Sequence, residues 1–319
     1  MMTLQQIAEM VDGELLGDGS IEITGVDAIA GARAGDLTFA IDGKTMDKFN
    51  ASAAAAAIVP AEATNCNKPH IKCADAKTAF HKIVALLRPP FERKGIGISA
   101  QAFISLTATI GEHVDIYPGA FVGDNASIGD GSIIHSGVRI LEHCVIGRDV
   151  TIFPNAVLYE KTVIGDRTTI HGNAVIGAHG FGYDSDENGH RRGVQLGHVE
   201  IGADVDIGAA TTIDRGTFGT TRVGNGCKLD NQVQIGHNCQ IGEHNLLCSQ
   251  VGIAGSSETE SFVVLAGQVG VGDHIHIGQA AIVGAKGGVM HDLAGGQTWV
   301  GLPVTPAREQ FQILAAQSK

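Results

Sequence analysis

From Ile104 to Ile176 an aliphatic residue returns at every sixth position without a miss. A small or β-branched residue sits two positions earlier in each hexad, as at Ala126, Val138, Cys144, Thr162 and Ala174, and glycine often follows the aliphatic residue. The period returns at Ile201, Ile207 and Ile213 and then runs from Val223 to Val289, with one polar interruption at Thr259. Neither a helical period nor plain alternation accounts for a six-residue repeat. The pattern predicts a short strand and a tight corner in every hexad. Positions 1 and 3 point inward on the strand, and Gly, Asn or Asp at the corner tolerates the unusual backbone angles. Three hexads close one coil, so residues 98–303 are predicted to form a parallel β-helix of about nine coils, roughly 45 Å long at the usual strand spacing. Two insertions break it, one between Ile176 and Ile201 and one between Ile213 and Val223. Loops pushed out of a regular scaffold are where sites are usually built.

Residues 1–97 lack the period and read as a small α/β domain. Thr3 can cap a helix that carries Leu4, Ile7, Ala8 and Val11 on one face. Strands are predicted at 20–24, 37–41 and 55–59 and a second helix at 75–88, with Arg88-Pro89-Pro90 as a stiff linker. After the β-helix, the C-terminal segment 304–319 is predicted to carry a single helix over 306–317, with Thr305 as its cap and Pro306 at the first helical position.

Composition narrows the chemistry. The 319 residues include 44 glycines and carry a net charge of −12. An acidic chain is poorly matched to a phosphate backbone, so nucleic acid is not an expected partner. No segment approaches the roughly 18 apolar residues of a membrane span, and no transmembrane segment is expected. The first residues do not read as a secretory signal. The six cysteines show neither paired nor metal-binding spacing. Cys144, Cys227 and Cys239 occupy the small-residue position and read as buried thiols in a reducing compartment. No metal or cofactor is expected.

Four runs, GFGY (180–183), TTIDRG (211–216), DNQVQIGHNCQIG (230–242) and VGDHIHIG (271–278), resemble those of the UDP-3-O-(3-hydroxyacyl)glucosamine N-acyltransferases of lipid A biosynthesis, over almost the whole chain. The resemblance implies a left-handed β-helix, an N-terminal uridine-binding domain and a cytoplasmic homotrimer with sites between neighbouring prisms. It implies transfer of a 3-hydroxyacyl group from acyl carrier protein to the 2-amine of UDP-3-O-(3-hydroxyacyl)glucosamine. His237 matches the family's catalytic base, a task suited to a histidine because its ordinary pKa lies near working pH. His274, two coils and one residue further on, matches a second histidine that holds or polarises substrate. Gly255 stands at the matching place for a backbone oxyanion donor, and Asn238 and Gln234 flank the base and can orient substrate. In the N-terminal domain Phe39 is retained for stacking on uracil. Asp42 and Thr45 stand where the family has Asn and Tyr, and an acid beside a diphosphate is expected to weaken nucleotide binding. Acyl carrier protein is acidic and needs a basic dock, for which the chain offers scattered Arg191, Arg192, Lys286 and Arg308.

Geometry adds an acyl groove. Gly288 lies about 2.8 coils beyond His237, roughly 14 Å along the axis, and a chain advancing about 1.25 Å per carbon reaches it after about eleven carbons. The run Ala285-Lys286-Gly287-Gly288 is expected to leave the end of the groove open.

Three other readings compete. An O-acyltransferase of the same repeat class generally begins directly with the β-helix, which does not suit the large N-terminal domain. A β-helical zinc carbonic anhydrase needs a third histidine, and His135 and His171 lack it because position 176 is Ile. A non-catalytic structural β-helix gives no reason for GFGY or DNQVQIGHN.

Overall fold

The computed structural model describes residues 2–87 and 95–317, so the linker expected at Arg88-Pro89-Pro90 lies outside the described residues. The chain divides into two compact units, with the boundary between residues 94 and 95.

In the first unit β1 (Met2–Thr3) leads into α1 (Leu4–Met10). The Thr3 hydroxyl accepts from Gln6 N–H, and the Gln6 side chain accepts from Thr3 N–H. This reciprocal cap satisfies two otherwise orphaned donors. Then follow β2 (Glu14–Leu16), β3 (Glu22–Ile23), β4 (Gly25–Val26), β5 (Asp36–Phe39), α2 (Gly43–Ala51), β6 (Ala56–Pro60), β7 (His70–Cys73) and α3 (Ala76–Leu87). Five strands form one sheet in the order β2-β7-β6-β5-β4. Alternation along β6 divides the core: Ile58 packs with Leu4, Ile7 and Phe80 on one side, Ala57 and Val59 with Met46 and Phe49 on the other. The hydrophobic pattern missed α2 and β7. The nine residues of α2 bury only Met46 and Phe49, too few to set a period.

The second unit is a parallel β-helix built from strands mostly two residues long. They stack into three sheets of nine, ten and eleven strands, with Ile134 over Ile152 and Ile140 over Leu158. The insertions widen this register, placing Ile164 against Ile201 and Ile213 against Ile235. Buried Ile and Val side chains fill the shaft. Cys144, Cys227 and Cys239 lie inside it and donate to the carbonyls of Tyr159, Gly242 and Ala254. Burial pushes these thiols up to about 12, 11 and 11 respectively. The polar break at Thr259 is resolved inside the shaft. Its hydroxyl accepts from Asn245 Nδ2 at 2.6 Å, and Asn245 Oδ1 accepts from Val263 N–H, so neither buried group is left unpaired.

The corners are less selective than expected. Positive φ occurs at Asn125, Asn238 and Asp149, but also at His113, Gln250, Phe262 and Lys286. Coil closure imposes the left-handed conformation on whatever residue stands there, at a modest local cost. His135 and His171 do stand two coils apart, but the ring of Phe153 is stacked between them, 5.0 Å from each.

At the far end Thr298–Gly301 pairs with Ile282–Val283 and turns back antiparallel through Val304–Pro306. The expectation that Pro306 opens the helix is corrected. Pro306 ends the strand opposite Trp299, and α4 spans Ala307–Gln317. No helix among the described residues is long and apolar enough to cross a membrane.

Candidate active site

The two insertions converge on one corner of the β-helix. Leu196 and Gly197 of the first donate their N–H groups to Thr217 O and Gly216 O of the second, at 2.7 and 3.0 Å. Arg215 anchors them from below. Almost wholly buried, it donates through Nε to Gly177 O and through Nη1 to Glu160 at 2.6 Å. The guanidinium bond holds the Glu160 carboxyl below its ordinary value.

His237 stands at this corner, just after the strand Gln234–Ile235. Its imidazole lies against two glycines. A Cβ on Gly180 would meet His237 Cβ at 2.6 Å, and one on Gly255 would meet ring atoms Cε1 and Nε2 at 2.6 and 2.7 Å. Both positions therefore require glycine for a close approach. The ring's other nitrogen, Nδ1, lies 3.1 Å from Asn238 Oδ1, and the same oxygen accepts from Thr217 N–H at 3.0 Å. A backbone donor on that oxygen identifies it as the carbonyl end of the amide. Asn238 Oδ1 can only accept, so Nδ1 carries the proton and Nε2 keeps its lone pair. Asn238 thus fixes the tautomer of the neutral His237 ring. Ser256 N–H donates to His237 O, and His274 N–H to Gly255 O, so these residues descend one corner in successive coils. His274 is exposed. Among the described residues the Gly255 N–H has no acceptor, which leaves it available to a ligand.

Asp214 was not singled out from the sequence. It follows Ile213, one coil before Ile235, and burial pushes its carboxyl up to about 6, moderated by a hydrogen bond from Gln234 and by His237. Gln234 Nε2 donates to Asp214 Oδ2 at 3.0 Å, and the Gln234 carbonyl oxygen accepts from Thr212 Oγ1. Both ends of the Gln234 amide are therefore occupied. Its placement is that of a support for Asp214 rather than of a free group beside substrate. Gln195, buried beside Gly180, has a side-chain oxygen without a partner among the described residues.

Below Gln234 the outward face of the sheet carries no side chains for three coils. Gln234 pairs with Gly252, Gly252 with Gly270, and Gly270 with Gly288. A Cβ on Gly252 or Gly270 would meet nothing within 4 Å. At Gly288 the expectation of an open end is corrected, because Leu302 Cδ1 occupies the space a Cβ would take. Leu302 comes from the turn between the last two strands, beyond the repeat, where hexad counting could not place it. The glycine column itself was legible as Gly252, Gly270 and Gly288 at one coil's spacing.

In the first unit Phe39 packs with the cluster that holds Phe80, its ring centroid 4.7 Å away. Asp42 caps α2. Its carboxylate accepts from Thr45 N–H at 2.7 Å, and the Thr45 hydroxyl accepts from Asp42 N–H. The Thr45 N–H, together with the Thr45 hydroxyl donating to the same carboxylate, holds the Asp42 carboxyl below its ordinary value. Asp42, Met46, Pro60, Glu62 and Asn65 line a cleft of about 180 Å³. Met46 belongs to the opposite core cluster from Phe39, so the aromatic and the acid serve different sides of the sheet.

Comparison with known proteins bears out the resemblance read from the motifs. The family model LpxD, described as UDP-3-O-(3-hydroxymyristoyl) glucosamine N-acyltransferase, matches residues 20–86. The bacterial transferase hexapeptide model matches residues 107–142, 143–178 and 220–255. The UDP-3-O-acylglucosamine N-acyltransferase of Methylobacterium sp. (strain 4-46) is 47% identical over 137 residues, which cover 43% of this chain and 39% of the relative. That of Helicobacter hepaticus is 48% identical over 136 residues, 42% of each. The matching stretch thus spans about two-fifths of the length of these relatives. Among solved structures, the UDP-N-acetylglucosamine O-acyltransferase of Moraxella catarrhalis superposes with a TM-score of 0.52 at 28% identity, covering 68% of this chain and 77% of the other.

Proposed function

We propose that this chain transfers a 3-hydroxyacyl group from acyl carrier protein to the 2-amine of a UDP-3-O-acylglucosamine, in the cytoplasm and as a homotrimer. The observation that carries the reading is the arrangement around His237. Its Nδ1 is committed to Asn238, its Nε2 retains a lone pair, and Gly255, whose N–H has no acceptor among the described residues, packs against the same ring. In this reading Nε2 removes a proton from the amine as the nitrogen attacks the thioester carbonyl. The C–N bond forms, the Gly255 N–H stabilises the oxyanion, the C–S bond breaks, and the proton passes from His237 to the departing thiolate. His274, further along the same corner, holds substrate, and the glycine column below Gln234 receives the acyl chain.

The match of the N-terminal unit to the N-acyltransferase model favours an amine acceptor over the hydroxyl acceptor of the structural neighbours. The cleft at Asp42 is the proposed contact to uridine; Phe39, packed against Phe80 on the other side of the sheet, does not share it, which corrects the expected stacking role. Exposed Phe181, Val194, Leu196 and Phe218 stand on the two insertions that meet beside His237. A bare apolar cluster of this kind suits burial by a neighbouring copy.

The test is turnover of purified 3-hydroxyacyl carrier protein and UDP-3-O-acylglucosamine, with the product identified by mass spectrometry. His237→Ala should reduce the rate by about 10²–10⁴ with unchanged melting. Absence of an amide product from the native chain, or retention of more than about a tenth of the rate in the variant, overturns the reading.

A further inference from the structure

The site around His237 holds one acidic side chain that the proposed chemistry leaves without a task. Asp214 is half-buried, lies close enough to His237 for the two to interact electrostatically, and receives a hydrogen bond from the neutral amide of Gln234. A carboxylate taken out of water is normally matched by a cation. Here none is provided. Among the described residues Asp214 makes no ion pair with Lys or Arg. The adjacent Arg215 turns its guanidinium the other way, to Glu160 and Gly177 O. The Gln234 amide is held from behind by Thr212, so its N–H end is fixed toward Asp214. Among the described residues the group of opposite potential charge acting on it is His237, which must be neutral to accept a proton.

We propose that Asp214 is the recognition site for a cationic acceptor, holding the ammonium of an aminosugar beside His237 and so selecting amines over hydroxyls. The inference rests on the acyl-transfer reading above and deepens it. An ammonium has three N–H donors. Amide formation removes two protons from it. Asp214 holds the ammonium as it binds, and one proton then leaves to solvent. The neutral amine directs one N–H to Asp214 and the other to His237 Nε2, so its lone pair faces the thioester, and His237 takes the second proton as the C–N bond forms. A hydroxyl acceptor offers one donor, which His237 needs, and presents its remaining lone pair to Asp214 unfavourably. The raised carboxyl of Asp214 fits the same picture, since it marks a site whose charge lacks compensation until a cation binds.

The experiment uses the full chain without acyl donor. Calorimetry measures binding of UDP-3-O-acylglucosamine and of its counterpart with a 2-hydroxyl, UDP-3-O-acylglucose, to the native protein, to Asp214→Asn and to Asp214→Glu. Asn can still accept from Gln234 Nε2, so the support is retained. The native chain should bind the amine at least about tenfold more tightly, the scale of a charge-assisted hydrogen bond. Asp214→Asn should bring the two acceptors to within about twofold of each other, and Asp214→Glu should retain a preference for the amine. In turnover Asp214→Asn should raise KM for the amine more than it lowers kcat. An amine-to-hydroxyl ratio unchanged in Asp214→Asn overturns the ammonium site while leaving acyl transfer intact. Failure of the native chain to bind either acceptor overturns both.

Discussion

The imidazole of His237 rests on the α-carbon of Gly255, so near that a methyl group there would fall 2.6 Å from Cε1. Gly255→Ala must therefore push the ring aside. The displaced atoms are the end of a flexible side chain, so the fold should tolerate the change while the imidazole loses its position. A misplacement of about 1 Å typically costs about 10²-fold. We expect a loss of that order in kcat with a melting temperature within about a degree of native. Full activity in Gly255→Ala would show that the ring has room that this packing denies it.

Asp214 carries a stability prediction of definite sign. Burial raises its folded carboxyl from 3.8 to about 6. Its contribution to stability is therefore complete below the unfolded value and is lost as pH rises from about 4 through about 6. Asp214→Asn should be more stable than the native chain at pH 8, by at most about 3 kcal/mol, and indistinguishable near pH 4. Denaturation across that range measures the difference. A variant less stable at pH 8 would contradict the burial argument.

Leu302 and Gly288 set a length prediction. From Gln234 to Gly288 the bare column runs three strand spacings, roughly 14 Å, the length of about eleven carbons. Leu302 closes the foot of the column. Leu302→Ala should raise the rate with long donors relative to short ones, and Gly288→Met, which must evict Leu302, should do the reverse. Competition among donors of about 12, 14 and 16 carbons reads this out. An unchanged ranking in both variants would place the acyl chain elsewhere.

Asp42 offers a test of the nucleotide site. Its carboxylate caps α2, and Asn caps a helix about as well as Asp, so Asp42→Asn removes a charge without removing the cap. UDP-sugar binding should tighten, as measured by calorimetry. An unchanged or weaker affinity would exclude Asp42 from the neighbourhood of the diphosphate.

The β-helix was legible in the chain because its order is one-dimensional. Each hexad repeats the same local problem, and each coil contacts only its neighbours, so spacing alone placed Ile134 over Ile152 and put His237 and His274 on one corner. The insertions were likewise visible as gaps in the period. Tertiary structure decided what those gaps do. Gly180 closes on His237, Thr217 orients Asn238, and Arg215 reaches back to Glu160, all through contacts that no period encodes. Asp214 was hidden for the same reason. A single carboxylate one coil from His237 acquires its raised pKa only when the folded chain takes it partly out of water. Leu302, past the end of the repeat, and the opposite sides taken by Phe39 and Asp42 in the first unit, likewise depend on where the chain returns. Local periodicity specifies a scaffold whose contacts lie one coil apart, whereas burial, charge and close approach at the site are set by segments that meet only after that scaffold has formed.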